Sequence, residues 1–203
     1  MIAYTTPQTR LEKSLMMGLI PNLLLKLIES AAGPETVAAV LRQAGIPLER
    51  RYGLNRVYPD EEWQRLYAAA RDLLGLDEDR AEAMFAEFFV QDALARFPRW
   101  FQMCRNSYEM LCLHPKIHNA FASGCSAAAA RRVLDDKFRT VSEPHRLIVE
   151  YRSPNRLCGL YAKLAHCVAT HYGDEVELAE RECVKRGDNR CLLEIAWRRL
   201  LHG

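Results

Sequence analysis

The hydrophobic period of this chain changes once, and that change limits what it can fold into. Over roughly the first 120 residues apolar side chains recur at helical spacing, and from about residue 137 they alternate. Pro21 suits a first helical position, and Leu23, Leu24, Leu27 and Ile28 follow until Gly33 stops the run. Pro34-Glu35 opens a second helix carrying Val37, Val40 and Leu41, stopped by Gly45, and residues 46–58 read as a loop. A third helix starts at "PDEE", its acids near the positive end of the dipole, and shows Trp63, Leu66, Tyr67, Ala70 and Leu73 on one face. Phe85, Phe88 and Phe89 mark a fourth, and a fifth, roughly 99–114, meets Pro115, which predicts a kink or restart before "KIHNAF". The alanine-rich stretch 122–136 has no firm signature. Then "KFRTV" and "RLIVEY" flank the turn Ser142-Glu143-Pro144-His145, a helix runs from Leu157 to Tyr172, and two further strands surround "KRGDNR". The expected class is α+β: an N-terminal helical subdomain followed by a small antiparallel sheet of about four strands with a crossing helix.

Charge and apolar content narrow the setting. A formal charge of +2 spread over mixed stretches offers no basic face for nucleic acid. No apolar run reaches the roughly 20 residues that span a bilayer, and the N-terminus has no apolar core of a secretory signal. A cytoplasmic protein is therefore expected, in which the seven cysteines serve as reduced thiols or metal ligands rather than disulfides.

Three groups of residues could carry chemistry. His114 and His118 are four apart, the spacing of two metal ligands on one helical turn, but Pro115 between them predicts a break in that geometry. His118, in a helix restarted by Pro115, is the better ligand; a capping or buried structural role is the alternative for either. Tyr151, Ser153 and Arg156, at the end of a strand, could clamp an anion or simply satisfy free backbone groups. Cys158, Cys183 and Cys191 form no CxxC pair and could equally be buried free thiols.

Several separated segments resemble one family. "MMGLIPNLLLKLIESAAGPETVAAVLRQAG", "YPDEEWQRLYAAARDLLG", "AEAMFAEFFV", "EYRSPNRLCGL" and "CVKRGDNRCLLEI" are similar, in order, to the H-NOX family of haem-based nitric oxide and oxygen sensor domains. The last two also resemble 4-vinyl-reductase-type small-molecule-binding domains. The resemblance covers about residues 16–197 and implies a single domain over 1–203, with a helical distal subdomain over about 16–98 and a proximal helix plus sheet over about 99–203.

What the resemblance implies for the site is specific. "MLCLHPKIH" matches the family's proximal segment at Met110, Leu111, Pro115 and Ile117, which selects His118 as the ligand of haem iron, the cofactor being haem b. The family's Tyr-x-Ser-x-Arg clamp for the haem propionates falls on Tyr151 and Ser153, but Asn155 stands at the arginine position and Arg156 follows one residue later. "AFASGCSAAAARR" replaces the proline-rich stretch that often follows the histidine. Ile20 and Leu24, with Leu160 or its neighbour, are expected to make an apolar distal wall, favouring NO and CO over a stable oxygen complex; Tyr161 would change that if it entered the pocket. A structural zinc of some family members maps onto Cys158, Cys183 and Cys191, with Glu180 at the family's histidine position and His166 a poorer substitute.

The function expected is a haem-based nitric oxide sensor domain, not an enzyme, signalling to a separate histidine kinase or cyclic-dinucleotide enzyme. The alternative is a haem-free, redox- or zinc-responsive regulator of the same fold. An enzyme is the weakest reading, since no nucleophile–base pairing and no Gly-rich dinucleotide loop is present.

Overall fold

The computed structural model describes residues 15–123 and 137–202. Helix α1 (Leu19–Gln43) buries Leu19, Leu23, Leu24 and Ile28 before Gly33, at φ 83°, breaks its regular path; Pro34 restarts it and Val40 and Leu41 are buried beyond. Helix α2 (Asp60–Leu74) buries Trp63, Leu66, Ala69 and Ala70 and ends on Gly75 in the left-handed region. Helix α3 (Glu78–Arg96) is capped by Asp77, whose carboxylate accepts from the Arg80 N–H at 2.8 Å. Their apolar stripes meet in one core built around Leu23, Ile28, Leu66, Trp63 and Phe85.

The second core belongs to an antiparallel sheet. Strands β3 (Phe138–Glu143), β4 (Arg146–Tyr151), β5 (Glu175–Glu182) and β6 (Cys191–Arg199) lie in the order β3-β4-β6-β5. The β4–β6 register sets Leu147 opposite Ile195 and Val149 opposite Leu193, so alternate residues of both strands point into the core. Helix α6 (Cys158–Tyr172) is buried on two sides, sending Leu160 into the helical core and Tyr161, Ala165 and Val168 into the sheet core. It divides the two halves and belongs to both. The sheet and crossing helix follow the alternation of the sequence, and no described helix is long and apolar enough to cross a membrane.

Two local expectations are corrected. Residues 46–58 are not all loop: Val57–Pro59 forms β2, paired antiparallel with β1 (Leu15–Met17), Met16 opposite Tyr58. Three-residue strands are too short to show an alternation. The preceding loop is held by Glu62, whose carboxylate accepts two bonds from Arg50 and one from the Tyr52 hydroxyl, all at 2.7 Å. Nor does a fifth helix end at Pro115. Helix α4 (Pro98–Gln102) is followed by α5 (Ser107–Ser123), which runs straight through Pro115. Proline removes the N–H owed to the Leu111 carbonyl and crowds that carbonyl, and the packing of Leu111 and Ile117 on either side into the same core offsets the cost. The alanine-rich segment 124–136 lies outside the described residues.

The start of α5 is fixed to the sheet by a buried carboxylate. Asp174, just before β5, accepts from the Ser107 N–H at 2.8 Å, the Ser107 hydroxyl at 2.6 Å and the Leu201 N–H at 2.8 Å. Trp197 Nε1 donates to the same Ser107 hydroxyl at 2.7 Å. A negative charge at a helix N-terminus is favourable, and here it also aims the helix that carries both histidines.

Candidate functional site

Between the two cores lies a cavity of about 200 Å³, many times the roughly 10–15 Å³ a water needs by the same kind of measure. Its walls are nearly all apolar: Met16, Leu19 and Ile20 from β1 and α1, Phe89 and Val90 from α3, Trp100 and Phe101 from α4, and Leu160, Leu164 and Val168 from α6. Because α5 is continuous, His114 and His118 share one face of it and both line the cavity, their ring centroids 6.3 Å apart. Phe138 stands beside them at 5.0 and 5.1 Å, and beside Tyr151 at 5.0 Å.

Two polar groups on these walls have no hydrogen-bond partner among the described residues. His114 Nδ1 is buried and has no hydrogen bond among the described residues. Burial, with His118 next to it, pushes the His114 pKa down to about 3, so its imidazole is neutral. Tyr161 also lines the cavity, its hydroxyl buried and without a partner among the described residues. Its ring packs against His114 at 5.3 Å and Phe138 at 5.4 Å, on the histidine side of the space. Of the expected distal wall, Ile20 and Leu160 do line the cavity. Leu24 does not: only the first turn of α1 reaches the space, and Leu24 is 4% exposed within the helical core.

The clamp residues are only partly assembled. Tyr151 lines the cavity; burial raises its phenol pKa, while hydrogen bonding to Ser153 and to the Leu157 backbone pulls the other way. Ser153 and Asn155 are buried behind it, the Ser153 hydroxyl accepting from the Asn155 N–H at 3.3 Å. Both polar atoms of the Asn155 amide lack partners among the described residues. Arg156 sits at φ 54° with its side chain exposed, and does not line the cavity. Sequence reasoning missed Lys137, a buried lysine on the cavity wall. A lysine beside a strand start normally reads as solvated surface, and no local signal distinguishes this one.

The fold brings the three cysteines together on the far side of α6. The sulfurs of Cys158, Cys183 and Cys191 all lie within 4.8 Å of one another, with Cys158 and Cys183 at 3.6 Å. The Val184 N–H points at Cys191 Sγ at 3.4 Å, and Asp188 holds the Cys183 N–H at 2.7 Å. Burial raises the thiol pKa of Cys158 and of Cys183, Glu180 adding to the latter. The Glu180 carboxylate itself is exposed and taken by Arg186 at 2.5 Å, and His166 faces solvent, so among the described residues the cluster has three close ligand atoms.

A family model described as haem-NO-binding matches residues 17–180. The chain belongs to the haem-NO-binding family. Its fold is that of solved H-NOX proteins. An H-NOX protein from S. oneidensis in its Fe(II)NO state gives a TM-score of 0.73 at 18% identity, covering 91% of this chain and 100% of that one. The Fe(II) unliganded H-NOX protein from K. algicida gives 0.70 at 20% identity over 93% and 100%. An oxygen-binding H-NOX domain related to soluble guanylate cyclases, solved as its oxygen complex, gives 0.72 at 17% over 93% and 98%. No curated protein matches the sequence. The family is one of haem-based gas sensors, and the cavity fits such a group chemically. It offers imidazole on one wall for iron, apolar surface for a macrocycle, and buried polar atoms left without partners.

Proposed function

We propose that this chain is a haem-based nitric oxide sensor domain that signals to a separate effector protein. The observation that carries this reading is the pair of imidazoles on one face of α5, turned into an apolar cavity closed by Tyr151. When bound, haem supplies an iron that takes up a diatomic gas. His118 would hold that iron, the assignment resting on its match to the family's proximal histidine. Tyr151, with Ser153 two residues on, would donate to a propionate. Ile20 and Leu160 present hydrocarbon to the gas, and the Tyr161 hydroxyl is kept on the histidine side by its packing on His114 and Phe138. Neither of these two distal side chains can donate a hydrogen bond to bound oxygen, which favours NO and CO.

The response is carried by α5. Its start is fixed by Asp174, whereas the turn bearing His118 lies past Pro115, where one helical hydrogen bond is missing. A pull on His118 can therefore move the second half of the helix against an anchored first half. The receiver is a separate cytoplasmic histidine kinase or cyclic-dinucleotide enzyme, as the family resemblance implies.

Visible spectra test this directly. Haem-supplied wild type should show a Soret band that shifts with NO and with CO and does not form a lasting oxygen complex in air. His118→Ala should lose the band and His114→Ala should keep it. Equal loss in both variants, or no haem uptake by wild type, defeats the assignment.

The three converging thiols favour a second reading, a haem-free redox- or zinc-responsive regulator in which zinc joins Cys158, Cys183, Cys191 and a displaced Glu180. Elemental analysis of protein purified without chelator decides it. Near one equivalent of zinc, reduced in Cys183→Ser, supports the metal; far less than one equivalent in wild type rejects it.

A further inference from the structure

Among the described residues, the wall of the cavity carries two cationic side chains, Arg96 and Lys137. Arg96 is already paired with Asp92 through a hydrogen-bonded ion pair and touches solvent. Lys137 is different. It is 7% exposed, and its ammonium, which has three protons to donate, gives one to the Leu15 carbonyl. Among the described residues, the carboxylate that faces it is Asp60, at 4.0 Å, beyond direct hydrogen bonding. Asp60 is itself 2% exposed, and neither of its oxygens has a hydrogen bond among the described residues. A buried ammonium with one acceptor among the described residues and a carboxylate just out of reach leaves protons to donate, and an anion entering the cavity would take them.

Its place in the fold puts that ammonium at the clamp. Lys137 accepts the Arg152 N–H at 3.0 Å, and the next residue, Phe138, is the register partner of Tyr151. The lysine therefore leaves the sheet beside the tyrosine, lines the cavity and reaches the Leu15 carbonyl of β1. The clamp needs a charge there, because Asn155 is neutral and Arg156 points to solvent. We infer that Lys137 is the cation that holds the acidic edge of the cavity's ligand, a planar apolar molecule bearing carboxylates, in place of the missing motif arginine. This rests on the proposal that the cavity takes a porphyrin. Burial pulls the Lys137 pKa down and Asp60 pushes it up, so a second carboxylate would favour the charged amine further. In the ligand-free protein Asp60 keeps the ammonium in position.

The test compares iron(III) protoporphyrin IX with its dimethyl ester, which has the same ring without the carboxylates. Binding is read from quenching of tryptophan fluorescence, Trp100 being on the cavity wall. Wild type should prefer the free acid. Lys137→Met should weaken free-acid binding by about tenfold or more and leave ester binding unchanged, while Lys137→Arg should restore most of the loss. Since Lys137→Met leaves Asp60 as an unpaired buried charge, the double variant Lys137→Met/Asp60→Asn is measured beside it and decides the matter if the single variant does not fold. Free-acid binding unchanged in these variants, or free-acid and ester binding falling together, overturns the role of Lys137 while leaving the haem reading intact. A wild type that binds neither porphyrin defeats both.

Discussion

His114 is a neutral imidazole held in an apolar wall, and this makes the ligand-free protein sensitive to mild acid. Its folded pKa is pushed down to about 3 from an ordinary value of 6.5. Between those values the unfolded chain binds a proton that the folded chain refuses, so stability rises with pH across the window and is complete above about 6.5. Lowering the pH from 7 to 5 should therefore cost the ligand-free protein up to about 2 kcal/mol through this residue alone. Urea midpoints at the two pH values measure it, and His114→Gln should flatten the difference; a wild-type midpoint that does not fall would contradict the burial of a neutral ring. The neighbouring hydroxyl of Tyr161 belongs to the same account. Buried polar groups ordinarily find partners, and two without any on one cavity wall mark a surface shaped for something other than packing.

At the scale of elements, α5 is the part whose behaviour function would use, and Asp174 is what anchors it. Removing that carboxylate leaves the buried Ser107 N–H and hydroxyl, and the more exposed Leu201 N–H, without this acceptor. Asp174→Ala should cost about 2–4 kcal/mol in chemical unfolding, well above a typical substitution. A loss under about 0.5 kcal/mol, the level of an ordinary surface change, would mean that α5 is placed by packing alone. None of this network is legible locally: Ser107 and Asp174 are 67 residues apart, and each reads as an ordinary turn residue. The ribbon of β1 and β2 is hidden for a related reason, since three residues per strand carry too little pattern. The path of α5 through Pro115 is hidden too, because a lost hydrogen bond predicts a break unless the packing on both sides of it is known.

For the molecule as a whole, α6 links two cores around one cavity, so the two halves should melt as one. Heating should give a single transition coincident in helix and in aromatic signals, and a porphyrin present at about a thousand times its Kd should stabilise the folded state by about 4 kcal/mol. Two resolved transitions, or no upward shift on loading, would show that the halves are independent or that the cavity is not the binding site. The architecture itself could be read from the sequence, because burial of one face imposes a period, and the shift from helical spacing to alternation after about residue 137 is a statement about faces. A glycine stop such as Gly45, at φ 65°, was equally visible, since a left-handed turn favours that residue. Tyr151, His114 and His118 were legible as candidates, and all three line the cavity, whereas the convergence of the cysteines needed β5 and β6 to pair and the start of α6 to dock beside them. Tertiary structure alone decided the rest: that Leu24 packs inside the helical core, that Arg156 faces solvent, and that Lys137 is buried with Asp60. A side chain's burial and partners depend on which distant segments close over it, and neither period nor spacing along the chain records that.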